Sequence, residues 1–534
     1  MDSRAQSDTH PHTLILRNWI AGKPETTGSS TESRNPGDRD DIVALAPVTG
    51  PDDVRRACEA AKGAQGRWAA RPAPGRAQIL GRLGKLLTQR KEALSQFVSR
   101  EMGKPIKEAR GSVQEAIDTA EFFQSEGRRL YGQTVPSELP NKELMTYRRP
   151  VGVVGVITAG NFPVAVPSWK IIPALLCGNA VVWKPSDDAP GTAALFGELL
   201  RAAGLPPDLV SIVYGGGAGS TGEHLIDQVD AGLLQKISFT GSTAVGRKIG
   251  EVCGRNLQHP SLELGGKNPL VVLADADIDL AVDGALWSSF GTAGQRCTSC
   301  GNIIVDGSVM DEFREKLLAR AKTLRIGDAR SADIDYGPMI NARFLDAWKA
   351  QRQVGLDDGA KLLLDGHTID KNSDYTHFSG NAEKGHYATP RIFDAVTMNM
   401  AIAQTECFGP TVNLVTVSGV DEAIAAANAT PYGLSSAIYT QDAHLMHRFK
   451  TEISAGMTSI NNSTTGAEAH LPFGGNGWSG NGTRESGIWV IDAYTQWQCV
   501  NVDLNGQLQL AQMDTEELPE PQLDDWDALD SSGK

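Results

Sequence analysis

The spacing of apolar residues differs between the part of the chain before residue 151 and the part after it. From Asp52 to Arg100 apolar side chains recur at helical spacing, and Pro72 and Pro74 interrupt the pattern. The residues that carry this periodicity most clearly are Ile79, Leu80, Leu83, Leu86 and Leu87. The pattern predicts helices on both sides of the two prolines.

Beyond residue 151, short apolar segments alternate with helical ones. The predicted strands are Val151–Ile157, Ala180–Trp183, Val210–Tyr214, Lys236–Phe239 and Pro269–Leu273. The predicted helices are Pro167–Leu176, Gly191–Ala203 and Ala244–Cys253. This alternation is typical of parallel β-α-β units with helices on both faces, so we expect a doubly wound α/β fold.

A second α/β region is expected from about residue 274 to 480. Two segments that are far apart in sequence, Glu143–Arg149 and Tyr494–Asn501, each alternate as a strand does and are expected to pair as a projecting β arm. The first residues are polar and show no apolar core of a secretory signal, and no run of about 18 apolar residues predicts a membrane span.

Composition narrows the function classes. A chain of 534 residues is too long for one core and predicts about three domains. Lys and Arg number 50 against 64 Asp and Glu, and the net charge of −14 argues against nucleic acid or an anionic membrane as partner. The 7 cysteines are scattered and odd in number, which suits a reducing compartment, so we expect a cytoplasmic protein.

The segment Gly291–Cys300 holds the strongest chemical signal, because Cys297 follows a glycine-rich approach. A short distance upstream, Glu263 lies in the glycine-rich segment Leu262–Asn268. A soft nucleophile and a carboxylate of raised pKa are what a covalent thiol mechanism needs. Cys297 and Cys300 also form a C-x-x-C pair, and oxidative pairing of the two thiols is an open alternative. No second pair and no histidine cluster accompany them, so zinc is not expected.

A possible nucleotide motif is Gly217 to Gly222, which matches G-x-G-x-x-G after a predicted strand and before a helical stretch. The acid expected at the end of the next strand is missing, because that strand ends in Phe239-Thr-Gly241. On the residues alone the motif therefore leaves two interpretations open, a dinucleotide fingerprint and an ordinary glycine-rich turn.

Together the segments around Cys297 and Glu263 resemble the catalytic core of the aldehyde dehydrogenase superfamily, and the resemblance runs from about residue 14 to 505. It implies a Rossmann-type cofactor domain, an α/β catalytic domain and an oligomerisation β arm. The implied ranges are a disordered leader 1–13, cofactor domain 14–130 and 151–265, catalytic domain 266–480, β arm 131–150 and 486–505, and acidic extension 506–534.

The resemblance also implies catalytic roles. Cys297 is expected to attack the aldehyde, Asn161 to stabilise the alkoxide together with the backbone N–H of Cys297, and Glu263 to activate water. Lys170 and Glu485 match a proton-relay pair, although a structural ion pair is equally compatible with the residues. For Asn161 the alternative is a cap on the following helix, and Cys300 is expected to line the substrate tunnel.

The implied cofactor is NAD, with NADP possible. Lys184 and Asp187 are expected at the adenosine ribose, and Asp187 stands where NAD-preferring members usually carry Glu. Gly241 and Ser242 are expected at the pyrophosphate. Glu406 is expected at the nicotinamide ribose and Phe408 beside the nicotinamide ring. The other expected cofactor contacts are Ser186, Gly217, Gly222, Leu264 and Gly265. Cys407 departs from the apolar residue usual at its position.

The expected activity is oxidation of an aldehyde to the free carboxylic acid through a thiohemiacetal and a thioester, by a homodimer or homotetramer. The polar loop Asn461–His470 favours a polar aldehyde or semialdehyde. The acidic extension, with Trp526 and neighbouring leucines, is expected to contact another subunit. Two alternatives are a cofactor-independent cysteine hydrolase, which predicts a histidine base near the cysteine, and a catalytically idle protein on the same fold.

Overall fold

The computed structural model of the chain describes residues 13–216, 220–506 and 508–509. Contacts divide the chain into two compact units, one of residues 1–129 and 150–495 and the other of residues 130–149 and 496–534. Within the described residues, no helix is long and apolar enough to cross a membrane.

The larger unit begins with a small sheet and three long helices. The small sheet has the strand order Leu14–Ile15, Asp38–Pro47 and Ser30–Asn35. The helices are Pro51–Ala70, Ala73–Met102 and Ile106–Glu126. The predicted interruption falls at Arg71 and Pro72, whereas Pro74 lies in the first turn of the second helix, where the missing N–H costs no hydrogen bond.

The first large sheet contains seven strands, and four of the five predicted strands form most of its parallel core. The fifth, predicted as Pro269–Leu273, lies in the second large sheet, and the parallel strand Ser261–Glu263 was not predicted. In spatial order the strands are Ser261–Glu263, Lys236–Thr240, Val153–Ile157, Ala180–Lys184, Val210–Ile212, Asn18–Ile20 and Lys23–Glu25. The last two are antiparallel additions from the N-terminus that the apolar pattern did not predict. The intervening helices are Ala165–Leu176, Pro190–Ala202, Thr221–Asp230 and Thr243–Arg255.

The second large sheet also contains seven strands, and only its outermost pair is antiparallel. In order the strands are Lys361–Leu364, Arg391–Asp394, Thr411–Val417, Cys300–Asp306, Asn268–Val272, Ser435–Tyr439 and Met457–Ile460. Its helices are Ile278–Phe290, Met310–Ala321, Ala342–Asp357, Ala401–Gln404, Gly419–Ala427 and Ala443–Glu452. Both sheets have apolar cores, as the fold class predicted from sequence requires.

The remaining elements are short. Ile326–Gly327 pairs with Phe378–Ser379, and Tyr432–Gly433 pairs with Asn476–Gly477. A 3-10 turn, Gly291–Gly294, precedes Cys297, and the helix Val490–Tyr494 precedes the last strand.

The smaller unit contains a three-stranded sheet, in the order Thr495–Asp503, Lys142–Pro150 and Thr134–Val135. The two distant segments with alternating polarity are therefore neighbours in one sheet. Arg148 lies 4.0 Å over the ring of Trp497, and Arg149 Nε donates to Gln498 Oε1 at 2.6 Å. Trp526 and most of the acidic extension lie outside the described residues.

Candidate active site

A cavity of about 800 Å³ lies beside the carboxyl ends of the parallel strands in the first sheet, where doubly wound sheets bind their ligands. Twelve of the residues predicted from sequence line it: Asn161, Lys184, Ser186, Asp187, Gly241, Ser242, Glu263, Leu264, Gly265, Cys297, Glu406 and Phe408. Lys170, Glu485 and Gly222 do not line it, and Gly217 lies outside the described residues.

The turn before Cys297 holds the backbone in an unusual conformation. Thr292, Ala293 and Gly294 have φ values of 50°, 54° and 71°, which place three consecutive residues in the left-handed region. Past the turn, Asn268 Nδ2 donates at 2.8 Å to the carbonyl of Cys297 and also to that of Ser299. The cysteine backbone is therefore fixed by a side chain from the segment that follows Glu263.

Glu108, on the helix Ile106–Glu126, holds the same turn from the other side. Its carboxylate accepts from the backbone N–H of Thr292 at 2.9 Å and from the Thr292 hydroxyl, and it forms an ion pair with Arg296 at 2.5 Å. The charges of Arg296 and Lys104 keep the pKa of Glu108 below its usual range even though burial opposes them. Sequence reasoning missed Glu108, because no local pattern links that helix to the cysteine.

Cys297 is held as a neutral thiol in the resting site. Burial raises the pKa of its thiol to about 12, and the charges of Glu263 and Glu406 add to that effect. The backbone N–H groups of Thr298 and of Cys297 itself act in the opposite direction, because they stabilise the thiolate. A thiol with so high a pKa needs a base in order to react as a nucleophile.

Asn161 lies on the segment between the strand Val153–Ile157 and the helix Ala165–Leu176. Its Nδ2 donates to the carbonyl of Gln295 at 3.0 Å, next to the cysteine segment. It does not cap the following helix, whose N-cap residue is Val164 without a side-chain hydrogen bond. The capping interpretation is therefore wrong, and the amide faces the same cavity as Cys297.

Glu263 is the last residue of its strand and is 4% exposed. Burial raises its pKa well above the usual range, and the charge of Glu485 raises it further, while Lys170, Arg484 and the N–H of Gly475 oppose the rise. Neither carboxylate oxygen makes a hydrogen bond of ordinary geometry to any described residue. Because burial disfavours its charged form, the Glu263 carboxylate is a stronger proton acceptor than an ordinary glutamate.

Lys170 and Glu485 form a fully buried ion pair behind this wall. Lys170 Nζ lies 2.5 Å from Glu485 Oε1 and 3.2 Å from the hydroxyl of Ser238. Of the two interpretations left open by the sequence, the ion pair is present in the structure. Because Glu485 raises the pKa of Glu263, the pair also acts electrostatically on a residue of the cavity.

The far end of the cavity is lined by polar groups. Lys184 Nζ donates to Asp187 Oδ1 at 3.1 Å, and a Cβ on Gly216 would lie 1.5 Å from Asp187 Oδ2, so Gly216 lets the carboxylate rest against the backbone. Ser186 Oγ accepts from the N–H of Asp188 at 3.2 Å. Asp188, which also lines the cavity and accepts from Asn341 Nδ2 at 2.7 Å, was not predicted.

The start of the helix Thr243–Arg255 faces the same space. Ser242 is its N-cap, and the Ser242 hydroxyl accepts from the N–H of Val245. The first N–H groups of a helix have no intrahelical partner and favour an anion. Gly241, which also lines the cavity, brings the backbone close to this space.

Glu406 and Phe408 line the cavity between this end and the cysteine. Glu406 Oε1 accepts from the N–H of Gly266 at 3.1 Å, and burial raises the pKa of Glu406 to about 7. A Cβ on Gly265 would lie 2.1 Å from Glu406 Oε2, so a side chain there would displace the Glu406 carboxylate. Phe408 packs on Phe344 with ring centroids 5.2 Å apart.

Cys300 is not a wall residue of the cavity, which corrects the expectation from sequence. It is 2% exposed and belongs to the apolar core of the second sheet, because it begins the buried strand Cys300–Asp306. No cluster of metal-binding side chains occurs within the described part of the chain. Among the described residues that line the cavity there is no histidine either.

The loop Asn461–His470 contributes Thr465, Gly466 and Ala467 to the wall near Cys297. Thr464 anchors it, since its hydroxyl donates to the carbonyl of Thr298 at 2.7 Å. The polar side chains that suggested a polar substrate are thus partly used to fix the loop.

The chain matches the model of the aldehyde dehydrogenase family over residues 23–500. It is 36% identical over 489 residues to the α-ketoglutaric semialdehyde dehydrogenase of Bacillus subtilis (strain 168), covering 92% of this chain and 97% of that protein. It is 38% identical over 482 residues to the α-ketoglutarate semialdehyde dehydrogenase of Haloferax volcanii, covering 90% and 97%.

Among solved structures, the chain is similar to the betaine aldehyde dehydrogenase of Staphylococcus aureus in complex with NAD+. The identity is 28%, the TM-score is 0.87, and the match covers 93% of this chain and 96% of that one. The family match spans most of the chain. It is consistent with the site, because Cys297, Asn161 and Glu263 line one cavity. The chain therefore belongs to the aldehyde dehydrogenase family.

Proposed function

We propose that this enzyme oxidises a semialdehyde to the free carboxylic acid with NAD, through a thioester on Cys297. The observation that carries the proposal is that one cavity is lined by the thiol of Cys297, the amide of Asn161, the carboxylate of Glu263 and a separate polar end suited to a nucleotide. The semialdehyde dehydrogenases of Bacillus subtilis and Haloferax volcanii, to which the chain is similar, support the substrate class.

The first step is addition of the thiol to the aldehyde. Because the pKa of Cys297 is raised to about 12, its proton must be transferred as the sulfur attacks, and Glu263 is a base in the same cavity. The thiolate forms a C–S bond to the carbonyl carbon, and the carbonyl oxygen becomes an alkoxide. Asn161 Nδ2 and the N–H of Cys297 stabilise that charge, each worth roughly 3 kcal/mol.

The polar end of the cavity fits NAD. Lys184 and Asp187 would hold the adenosine ribose, the start of the helix after Ser242 would face the pyrophosphate, and Glu406 would accept from the second ribose. Gly265 fits this arrangement, because any side chain there would displace Glu406. When bound, the nicotinamide accepts the hydride that leaves the substrate carbon, which converts the thiohemiacetal to a thioester.

Hydrolysis then needs a base that is free to accept a proton. Glu263 first releases to solvent the proton that it took from the thiol. Its carboxylate, whose oxygens make no ordinary hydrogen bond to described residues, then takes a proton from water as the water attacks the thioester. The tetrahedral intermediate collapses, the C–S bond breaks and the carboxylic acid leaves. Glu263 returns its proton to the sulfur, which restores the thiol of Cys297. The Lys170–Glu485 pair lies behind the cavity wall, and the negative charge of Glu485 helps to keep the pKa of Glu263 high.

Asp187 favours NAD over NADP, since a carboxylate accepts from ribose hydroxyls and repels a 2′-phosphate. The proposed enzyme is cytoplasmic, which the free cysteines of the chain support. It is also a homo-oligomer, which the three-stranded sheet of the smaller unit supports, because Trp497 in that sheet is 53% exposed. The cofactor-independent hydrolase is disfavoured, because no described residue lining the cavity is a histidine.

The test is a spectrophotometric assay of the purified protein with NAD and NADP against a panel of aldehydes, with the carboxylic acid quantified as product. The proposal predicts NADH and acid in equal amounts, and higher kcat/KM for semialdehydes than for unsubstituted aldehydes. Hydrolysis of esters with no cofactor reduction on any aldehyde would instead support the hydrolase.

A further inference from the structure

The turn that carries Cys297 contains a peptide bond whose direction can be set from outside. The N–H of Ser299 donates to the carbonyl of Arg296 at 3.0 Å, which closes a four-residue turn with Cys297 and Thr298 in the middle. The peptide bond between the two middle residues of such a turn takes no part in the closing hydrogen bond, and the common turn types differ mainly in its direction. A contact from outside the turn can therefore fix this peptide in one direction.

Asn268 makes that contact from the first residue of the strand Asn268–Val272. Its Nδ2 donates to the carbonyls of Cys297 and Ser299, both at 2.8 Å, and its Oδ1 accepts from the N–H of Ser435 at 2.9 Å. Because the donor side and the acceptor side of the amide are both engaged, the amide has one orientation. Asn268 is 1% exposed, so water does not compete for these bonds.

The chain beside Asn268 is shaped to let the cysteine turn approach. A Cβ on Gly266 would lie 2.7 Å from the carbonyl oxygen of Cys297, so a side chain there would push the turn away from Asn268. Asn268 itself does not line the cavity, and it contacts the turn from behind. Its effect on the chemistry can therefore reach the thiol only through the backbone of the turn.

The carbonyl that Asn268 holds determines where the next N–H points. In a trans peptide the C=O and N–H groups point in opposite directions. With the Cys297 carbonyl directed at Asn268, the N–H of Thr298 is directed away from Asn268 and lies beside the sulfur, where it stabilises the thiolate. A rotated peptide would bring its negative carbonyl end towards the sulfur instead.

This N–H matters because the rest of the site disfavours the thiolate. Burial raises the pKa of the Cys297 thiol to about 12, and the charges of Glu263 and Glu406 also raise it. Among the groups that oppose this rise, the N–H of Thr298 comes first and the N–H of Cys297 second. Loss of the first donor would therefore remove the largest favourable contribution to thiolate formation.

We propose that Asn268 is a positioning residue for the nucleophile, because it holds the carbonyls of Cys297 and Ser299 and so keeps the N–H of Thr298 directed at the sulfur. It promotes thiolate formation without contact with substrate or cofactor. This role rests on the proposed reaction at Cys297, and it adds a residue that acts on the thiol through one peptide bond.

The test is alkylation of the protein with iodoacetamide at pH 8, followed by peptide mass spectrometry. Asn268→Ser has a side chain too short to reach both carbonyls. Complete inversion of the peptide would put Thr298 in the left-handed region, which β-branched residues avoid, so the freed peptide should tilt and weaken its hydrogen bond. Alkylation of Cys297 should slow by about tenfold, because a hydrogen bond to a charged group is worth about that factor.

The sign of the change separates positioning from a merely structural role. A site that only became looser would expose Cys297 and speed its alkylation, whereas loss of the positioned N–H slows it. Cys499 is exposed and lies in the smaller unit, so its alkylation in the same sample serves as an internal standard. The kcat/KM for a semialdehyde should fall by a similar factor, while Kd for NAD should stay the same.

A second variant, Asn268→Asp, keeps the shape of the side chain, but its carboxylate cannot donate to the two carbonyls, so alkylation of Cys297 should slow here too. The matched control is Asn413→Ser. Asn413 is a buried amide of the same sheet, and its Nδ2 donates to the carbonyl of Ile402 at 3.0 Å and to Asn302 Oδ1 at 2.8 Å. Its loss should leave alkylation of Cys297 unchanged.

Unchanged or faster alkylation of Cys297 in both Asn268 variants would overturn the positioning role, as would an equal decrease in Asn413→Ser. Alkylation needs neither an aldehyde nor NAD, so it reports on the thiol whatever reaction the enzyme catalyses. A wild-type protein that oxidises no aldehyde would refute the proposed function and not this measurement.

Discussion

Replacement of Glu263 with Gln separates the two halves of the proposed reaction. Gln has nearly the same shape, and Glu263 makes no ordinary hydrogen bond to described residues, so the wall should not rearrange. The variant loses a proton acceptor whose pKa is raised mainly by burial and secondly by the charge of Glu485. General-base catalysis contributes about 10²- to 10⁴-fold, so hydrolysis of the thioester should slow by that factor, roughly 3 to 5 kcal/mol of barrier.

The assay is stopped-flow detection of NADH after the enzyme is mixed with NAD and a semialdehyde. The variant is expected to give a burst of NADH close to one equivalent per site, followed by very slow turnover. Another base, such as water, can take the thiol proton, so hydride transfer should slow less than hydrolysis. If no burst occurs and the single-turnover rate falls as far as the steady-state rate, Glu263 does not have the role assigned to it.

The pH dependence provides a second check on the same residue. Hydrolysis requires ionised Glu263, so its rate should rise with pH through a pKa above the usual carboxyl value of about 4.3. Glu485→Gln removes a charge that raises this pKa, so the rise should move to lower pH. If the hydrolysis rate of Glu485→Gln rises at the same pH as that of the wild type, the Lys170–Glu485 pair does not act on Glu263.

The raised pKa of Glu263 also affects stability. A carboxyl whose pKa is higher in the folded than in the unfolded state loses stability as pH rises through the folded pKa. Glu263→Gln should therefore raise Tm, and more in alkaline than in mildly acidic buffer. Thermal melts at both conditions test this, and a lower Tm in alkaline buffer would contradict the pKa assignment.

Three further substitutions have clear expected outcomes. Cys297→Ala should abolish aldehyde oxidation, whereas binding of NAD, measured by fluorescence, should persist. If activity survives in this variant but is lost in Cys300→Ala, the nucleophile is Cys300 and not Cys297. Asp187→Ser should shift the ratio of kcat/KM for NAD and NADP by about tenfold or more towards NADP, and an unchanged ratio would remove the support for NAD preference. Glu108→Gln leaves Arg296 buried without its anion, so Tm and kcat should both fall, with a stability loss of roughly 3–5 kcal/mol; an unchanged melt would show that the ion pair is not needed.

Local patterns predicted four parallel strands of the first sheet, whereas most of the predicted residues that line the cavity were inferred from the family resemblance. Strand alternation located the strand before Asn161, and parallel strands bring their carboxyl ends to one edge. The three-residue strand that ends at Glu263 was not predicted, and Glu263 was found from its glycine-rich segment. The antiparallel addition of Asn18–Ile20 and Lys23–Glu25 was not predictable in this way. Two three-residue strands are too short for periodicity to identify.

The supporting contacts of the site were less accessible from sequence. Glu108 reaches Thr292 and Arg296 from a distant helix, and only the tertiary packing brings them together. Cys300 looked like a tunnel residue because it follows Cys297 closely, but the chain enters a buried strand there and its side chain turns into the core. Spacing along the chain does not indicate which face of a new strand a side chain joins.

The central claim is that the substrate becomes covalently attached to Cys297 as a thioester. Intact-mass and peptide mass spectrometry of the Glu263→Gln protein, quenched in acid after reaction with NAD and 5-oxopentanoate, test it most directly. We expect the protein mass to increase by one acyl group, located on the peptide that contains Cys297 and absent when NAD is omitted. Oxidised product formed without any adduct, or an acyl group found on another residue, would contradict the account.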